Sequence, residues 1–222
     1  KTENKNKLNQ IQNDIIRETL KQIKIDRPLY ISSISDVPAN SGLGSSSAFT
    51  VGLIKALYEF KNINITDSKI AELACKIEIS KVKSPIGKQD QYATAIGGFN
   101  SINFRKNSKV EVKKLNRDKI INEIMDNSLL LWIGKSRKTN NILSHQNSRI
   151  KMNINNLNLI MNLAKKFEQK ILKQNFSLQK FSKLIMENWE LKKNLSVKIS
   201  SKKIQKIFDL ATENGSLGGK IL

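Results

Sequence analysis

The sequence predicts an α+β fold, and three observations carry that expectation. Apolar residues recur at helical spacing in several segments, as in Leu8, Ile11, Ile15, Ile16, Leu20 and Ile23. Continuous apolar runs such as Leu129-Leu130-Leu131-Trp132 are too short for a core helix and read as buried strands. Between them lie turns rich in glycine and serine, and one of these organises the rest: residues 36–56, DVPANSGLGSSSAFTVGLIKA.

In chain order, residues 8–23 form a leading amphipathic helix, closed by Pro28. Residues 29–35 read as a strand that feeds the glycine-rich turn. There Pro38 fixes φ, and Asn40, Gly42 and Gly44 accept left-handed backbone angles. Ser45, Ser46 and Ser47 follow, and Phe49, Leu53, Ile54, Leu57 and Tyr58 continue at helical spacing to about Phe60. Such a strand-loop-helix aims free backbone N–H groups and the positive end of the helix dipole into the loop, where an anion can sit. Small residues admit a phosphate close to the backbone, and serine hydroxyls can ligate it or its Mg²⁺. From the glycines alone, a turn capping an ordinary helix reads equally well. A Walker A loop is excluded, because no Lys-Ser/Thr follows the second glycine.

Residues 64–81 read as the next helix, with Thr66 as N-cap and Ile65 and Ile70 as a hydrophobic staple. Ile70, Leu73, Ala74 and Ile77 make its buried stripe. Glu78 is expected at the stripe's edge, half withdrawn from water, and Glu72 on the solvated face. In residues 84–104, SPIGKQDQYATAIGGFNSINF, a short helix begins at Asp90-Gln91-Tyr92, ends at Gly97-Gly98 and gives way to a strand. Asp90 alone would read as a helix cap. Glu78 stands twelve positions before it, however, across a loop that can bring the two carboxylates together.

Residues 107–119 are polar and basic and read as a linking segment, and residues 128–134 as a second strand. Gly134-Lys135-Ser136-Arg137 then reads as a basic turn before a helix, and its resemblance to a segment of known kinases implies a phosphate contact equally well. From Thr139 onward the pattern is helical. His145 has no second His or Cys nearby, which argues against a metal site there. Ser177 caps one helix with Phe176 and Phe181 as its staple. Ser200 or Ser201 caps the last, where Ile204, Ile207, Phe208 and Ala211 face inward and Asn214-Gly215 makes the stop.

At 222 residues the chain is long enough to bury a sizeable core. No run is long and apolar enough to span a membrane, no signal peptide precedes the globular pattern, and Lys1 in place of Met leads us to expect an N-terminus already cut. The single cysteine, Cys75, falls in a helical apolar pattern; a small buried hydrophobe in a reducing, cytoplasmic compartment is expected. The formal net charge of +20 is spread through every segment without aromatic interleaving. It reads as compositional drift, with no nucleic-acid or membrane partner implied and some attraction for phosphorylated substrates.

The order Pro38, then Ser41-Gly42-Leu43-Gly44-Ser45-Ser46-Ser47-Ala48, resembles the ATP-phosphate loop of the GHMP kinases, with Asn40 where members often carry Gly. Gly87-Lys88-Gln89-Asp90-Gln91 with Glu78 ahead of it resembles the Gly-x-x-Asp-Gln segment of the galactokinase-like members. The fuller string GKQDQYATAIGGFN is similar to bacterial sugar-type members, above all the D-glycero-D-manno-heptose 7-phosphate kinases. The resemblance covers nearly the whole chain. It implies a two-lobed architecture, divided near Asn127 into 1–126 and a helix-rich α+β lobe 127–222.

The resemblance also implies an ATP-dependent kinase for a sugar or sugar phosphate, acting at the anomeric hydroxyl in the making of surface polysaccharide precursors. Pro38, Ser41, Gly42, Leu43, Gly44, Ser45, Ser46 and Ser47 would bind the nucleotide. Ser46 and Glu78 would hold Mg²⁺, and Asp90 would be the catalytic base. Homodimerisation is left open. The family's opening strands and third glycine-rich loop have no counterpart here beyond the approach Gly218-Gly219-Lys220, so residues 1–222 alone are expected to be inactive. Outside this reading stand another small-molecule kinase of the same family (galactokinase-like or fucokinase-like), a catalytically silent binding protein and a basic nucleic-acid-associated module. Retention of Ser46, Glu78 and Asp90 together argues against the silent relative.

Overall fold

The computed structural model describes residues 3–37, 41–133, 139–173 and 176–222. The fold is mixed and helix-rich, and the chain divides into two compact units, Lys1–Gly98 and Phe99–Leu222. That division falls earlier than the lobe boundary expected near Asn127.

In the first unit a 3-10 turn, Leu8–Gln10, leads into helix α1, Asp14–Ile23. Asn13 caps α1 by accepting from the Ile16 amide at 3.1 Å, and Lys24 closes it in the left-handed region at φ 58°. Leu20 and Ile23 of α1 pack with Val51, Leu53, Ile54 and Leu57 of α2, Ser45–Phe60. Helix α3, Asp67–Cys75, adds Ile70 and Ala74 to the same core. Thr66 caps α3, accepting from the Lys69 amide at 3.3 Å, and both staple residues, Ile65 and Ile70, join the core.

Residues 29–35 form no strand, which corrects the expectation. Leu29 and Ile31 lie on the core, whereas Tyr30 and Ile34 are 91% and 93% exposed. The in-and-out alternation covers only Leu29, Tyr30 and Ile31. Among the described residues the segment has no ladder partner, and a strand exists only through its partner's hydrogen bonds.

Helix α3 continues into a π-helical turn, Lys76–Lys81, in which the Val82 amide reaches back to the Ile77 carbonyl at 2.9 Å. The wider turn lets consecutive side chains face inward: Ile77 and Glu78 are both fully buried. Glu78 therefore sits deeper than the half-withdrawn position read from the α-helical stripe. Helix α4, Gln89–Ile96, completes the unit and ends at Gly97 with φ 64°. Gln91 and Tyr92 point inward from its first turn.

The second unit opens with a hairpin. Strand β1, Asn100–Phe104, pairs antiparallel with β2, Val110–Lys114, through a turn in which Ser108 takes φ 65°. The segment read as a polar link thus holds a strand. Its signal was the alternation Val110-Glu111-Val112, masked by the surrounding lysines. Ser101 donates to Glu168 at 3.0 Å, and Phe99 meets Phe167 edge-on with ring centroids 6.2 Å apart, tying the hairpin to α7, Ile154–Leu172.

Helix α5, Asp118–Asp126, is followed by the apolar run expected as a buried strand, and this too is corrected. Leu129, Leu130, Leu131 and Trp132 are 57–90% exposed and unpaired in any sheet among the described residues. Helices α6, Thr139–Asn147, α8, Leu178–Lys193, and α9, Lys202–Glu213, complete the unit with α7. Trp189 stacks on Phe208 with centroids 5.2 Å apart, in a core shared with Leu195, Ile199 and Ile204. Ser177 and Ser201 cap α8 and α9 through the Lys180 and Ile204 amides. His145 is engaged by Ser196, Nδ1 to Oγ 2.8 Å.

Candidate active site

The first unit brings three separate pieces of chain to one place. The glycine-rich loop enters α2 with Gly42 at φ 85° and Gly44 at φ 69°, both left-handed as the composition required. Gly44 is the N-cap of α2 and caps with no side chain; the first bond of the helix runs from the Ala48 amide to the Gly44 carbonyl at 2.9 Å. The amides of Ser45, Ser46 and Ser47 therefore precede the helix ladder, at the positive end of a sixteen-residue helix. Ser41 Oγ braces the loop by accepting from the Leu43 amide at 3.4 Å, and Leu43 lies open at 41% exposure. The Ser47 side chain is buried, so only its backbone can serve a ligand; the Ser46 side chain is exposed. Thr50 steadies the first turn by donating to the Ser46 carbonyl at 3.0 Å.

The second piece is the π-helical turn. Glu78 accepts from the Ser46 hydroxyl at Oε1, 2.5 Å, and from the Gln91 side-chain amide at Oε2, 2.7 Å. Among the described residues no cation pairs with it. A carboxylate withdrawn from water costs several kcal/mol unless charge compensates, and two neutral donors compensate only in part.

The third piece is α4. A Cβ placed on Gly44 would meet Asp90 Oδ2 at 3.3 Å, so the Asp90 carboxyl stands directly over the glycine at the head of α2. Asp90 is exposed, while its neighbour Gln91 is fully buried. The structure thus gathers Gly44, Ser46, Glu78 and Asp90. Pro38, together with Asn40 and the Gly134-Lys135-Ser136-Arg137 segment, lies outside the described residues.

Gln91 is the residue whose part the sequence reading left out. It was visible only as the second letter of an Asp-Gln pair. Its contact with Glu78, thirteen positions away, depends on the π turn.

Mg²⁺ binds through one or two carboxylates plus phosphate oxygens and keeps several waters, without a dedicated cage. A hydroxyl and a carboxylate oxygen 2.5 Å apart at the head of α2 fit that demand.

A glycine-rich loop before a helix, joined to a buried glutamate and a rim aspartate, is an arrangement with the groups that a phosphate and its cation require. Residues 9–98 match the family described as GHMP kinases N terminal domain. They form a GHMP kinase N-terminal domain, and the fold is that of the GHMP kinases, present in part. The chain is similar to the D-glycero-alpha-D-manno-heptose 7-phosphate kinase of Campylobacter jejuni, 31% identical over 95% of this chain and 61% of the relative. It also resembles the crystal structure of a D-glycero-D-manno-heptose 1-phosphate kinase from Bacteroides thetaiotaomicron, at 28% identity and a TM-score of 0.70, over 94% of this chain and 60% of the other. Galactokinase of Pyrococcus furiosus is 39% identical over a shorter stretch, 31% of this chain and 20% of the relative. The chain spans about three fifths of the length of the two heptose kinases.

Proposed function

We propose that this chain carries the nucleotide site of an ATP-dependent kinase that phosphorylates a hydroxyl of a sugar or sugar phosphate. The favoured acceptor is D-glycero-D-manno-heptose 7-phosphate at its anomeric hydroxyl, supported by the likeness to the Campylobacter jejuni heptose kinase. The carrying observation is the convergence of Ser46 on Glu78 and of Gly44 on Asp90, from three elements distant in sequence. The lobes 1–126 and 127–222 belong to the same proposal.

Phosphoryl transfer depends on in-line positioning and charge neutralisation more than on covalent chemistry. The amides of residues 45–47 would bind phosphate oxygens, with the α2 dipole adding to the attraction. Ser46 Oγ and Glu78 Oε1 would hold Mg²⁺, which when bound neutralises charge on the phosphate oxygens. Asp90, beside Gly44 and open to solvent, would accept the proton of the acceptor hydroxyl, or orient that hydroxyl where it is acidic enough.

Calorimetry with the non-hydrolysable analogue AMP-PNP and Mg²⁺ tests the nucleotide site, and a panel of sugars and sugar phosphates with ATP tests the acceptor. Saturable, Mg²⁺-dependent nucleotide binding is expected. Salt-sensitive retention on DNA without nucleotide binding would replace this reading with the nucleic-acid one.

A further inference from the structure

Gln91 is fully buried, sits beside Asp90 in the first turn of α4, and has no task in the reading above. A carboxylate only accepts, so the NH₂ end of Gln91 is the end that faces Glu78. Its other end, Oε1, is buried and finds no donor among the described residues. Buried amides ordinarily satisfy both ends. This one leaves an end unpaired while keeping the other on Glu78.

The two oxygens of Glu78 are thereby divided between different kinds of partner. Oε1 faces the Ser46 hydroxyl, which can rotate its proton away and turn a lone pair to a cation. Oε2 is held by an enclosed amide whose other end finds no partner among the described residues. We propose that Gln91 is a positioning residue that makes Glu78 a one-oxygen ligand, and so sets the site's preference for Mg²⁺ over Ca²⁺. Mg²⁺ is small and octahedral and is served by single carboxylate oxygens, whereas Ca²⁺ takes more oxygens and accepts both from one carboxylate. Withholding Oε2 therefore disfavours Ca²⁺ selectively. This inference rests on the metal-holding role given to Ser46 and Glu78 above.

The test measures AMP-PNP binding by calorimetry with Mg²⁺ and then with Ca²⁺, for the unaltered protein, Gln91→Met and Glu78→Gln. In Gln91→Met the ratio of Mg²⁺ to Ca²⁺ affinity should fall, by no more than the roughly 10–100-fold that losing a residue that orients a metal ligand costs in affinity. Equal loss with both metals would assign Gln91 to the fold alone and overturn the proposal. Glu78→Gln separates the two levels. If it leaves the Mg²⁺ titration unchanged, the metal role of Glu78 fails and the inference falls with it. If it weakens Mg²⁺ binding while Gln91→Met keeps the ratio, the metal role stands and the positioning role falls. Should Gln91→Met not fold, carboxylate infrared bands of the unaltered protein, isolated by subtracting Glu78→Gln, report the same property. One-oxygen coordination is expected with both metals, and a two-oxygen signature with Ca²⁺ would overturn the proposal.

Discussion

The Ser46 hydroxyl donates to Glu78 Oε1 across 2.5 Å, joining the head of α2 to a residue 32 positions further along the chain. The contact unites a flexible donor that is exposed with an acceptor that is fully enclosed. The chemistry proposed for this site depends on that asymmetry, because the hydroxyl can exchange its partner and the carboxylate cannot leave.

Glu78→Gln should raise the Mg²⁺ concentration needed for nucleotide binding while leaving the fold intact. The new side chain's oxygen can keep Ser46, and its amide can donate to Gln91 only if Gln91 turns its oxygen towards it. Removing a buried carboxylate that has no cation partner among the described residues also removes its desolvation cost, which offsets that rearrangement. A Mg²⁺ titration of AMP-PNP binding and a thermal melt check both halves. An unchanged titration would count against metal binding at Glu78, and a clear fall in Tm would show that the carboxylate itself stabilises the fold.

Asp90→Asn keeps the size of the side chain above Gly44 and removes its basicity. Nucleotide affinity should stay nearly unchanged. Turnover in catalytically active protein should drop by about 10²–10⁴-fold, the usual worth of a general base. A normal rate would remove Asp90 from that role.

Gly44→Val meets two obstacles. Its backbone sits at φ 69°, where a side chain costs roughly 1–2 kcal/mol, and its Cβ would press on Asp90 Oδ2 at 3.3 Å. Both act at the head of α2, in the loop proposed to hold the nucleotide, so AMP-PNP binding should be lost while far-UV circular dichroism is retained. Unaltered affinity by calorimetry would reduce the loop to a structural cap.

Cys75 supplies a pH test. Burial pushes its thiol up to about 11 from an ordinary value of 9.0. The folded state then holds the proton more tightly than the unfolded one. The associated stability is fully present below about 9 and is lost as pH rises towards 11. At pH 8 a disulfide reagent should label Cys75 slowly in folded protein and rapidly in urea. Rapid labelling without denaturant would mean that the thiol is open.

The features legible in the sequence are those that a few neighbouring residues decide. Thr66, Ser177 and Ser201 cap helices because an N-cap bond spans three residues. Gly42 and Gly44 take left-handed angles because little else can there, and α2 runs from the serines to Phe60 as its apolar spacing indicated. The glycine and serine turn before α2 and the Asp-Gln start of α4 were likewise readable as short strings.

Pairing and depth were settled only in three dimensions. Residues 29–35 and 128–133 carry strand-like apolarity, yet neither forms a strand, whereas β2 arose in a stretch that looked merely polar because β1 lay ready to pair with it. Apolarity favours an extended, half-buried segment; the ladder needs a partner that no local pattern names. Glu78 moved from the edge of a stripe to full burial because the helix widened into a π turn. That shift placed it within reach of Ser46 and Gln91. Caps and loop angles are short-range and survive being read one segment at a time. The site rests on bonds spanning 13 and 32 positions, whose existence depends on how α2, α3 and α4 pack.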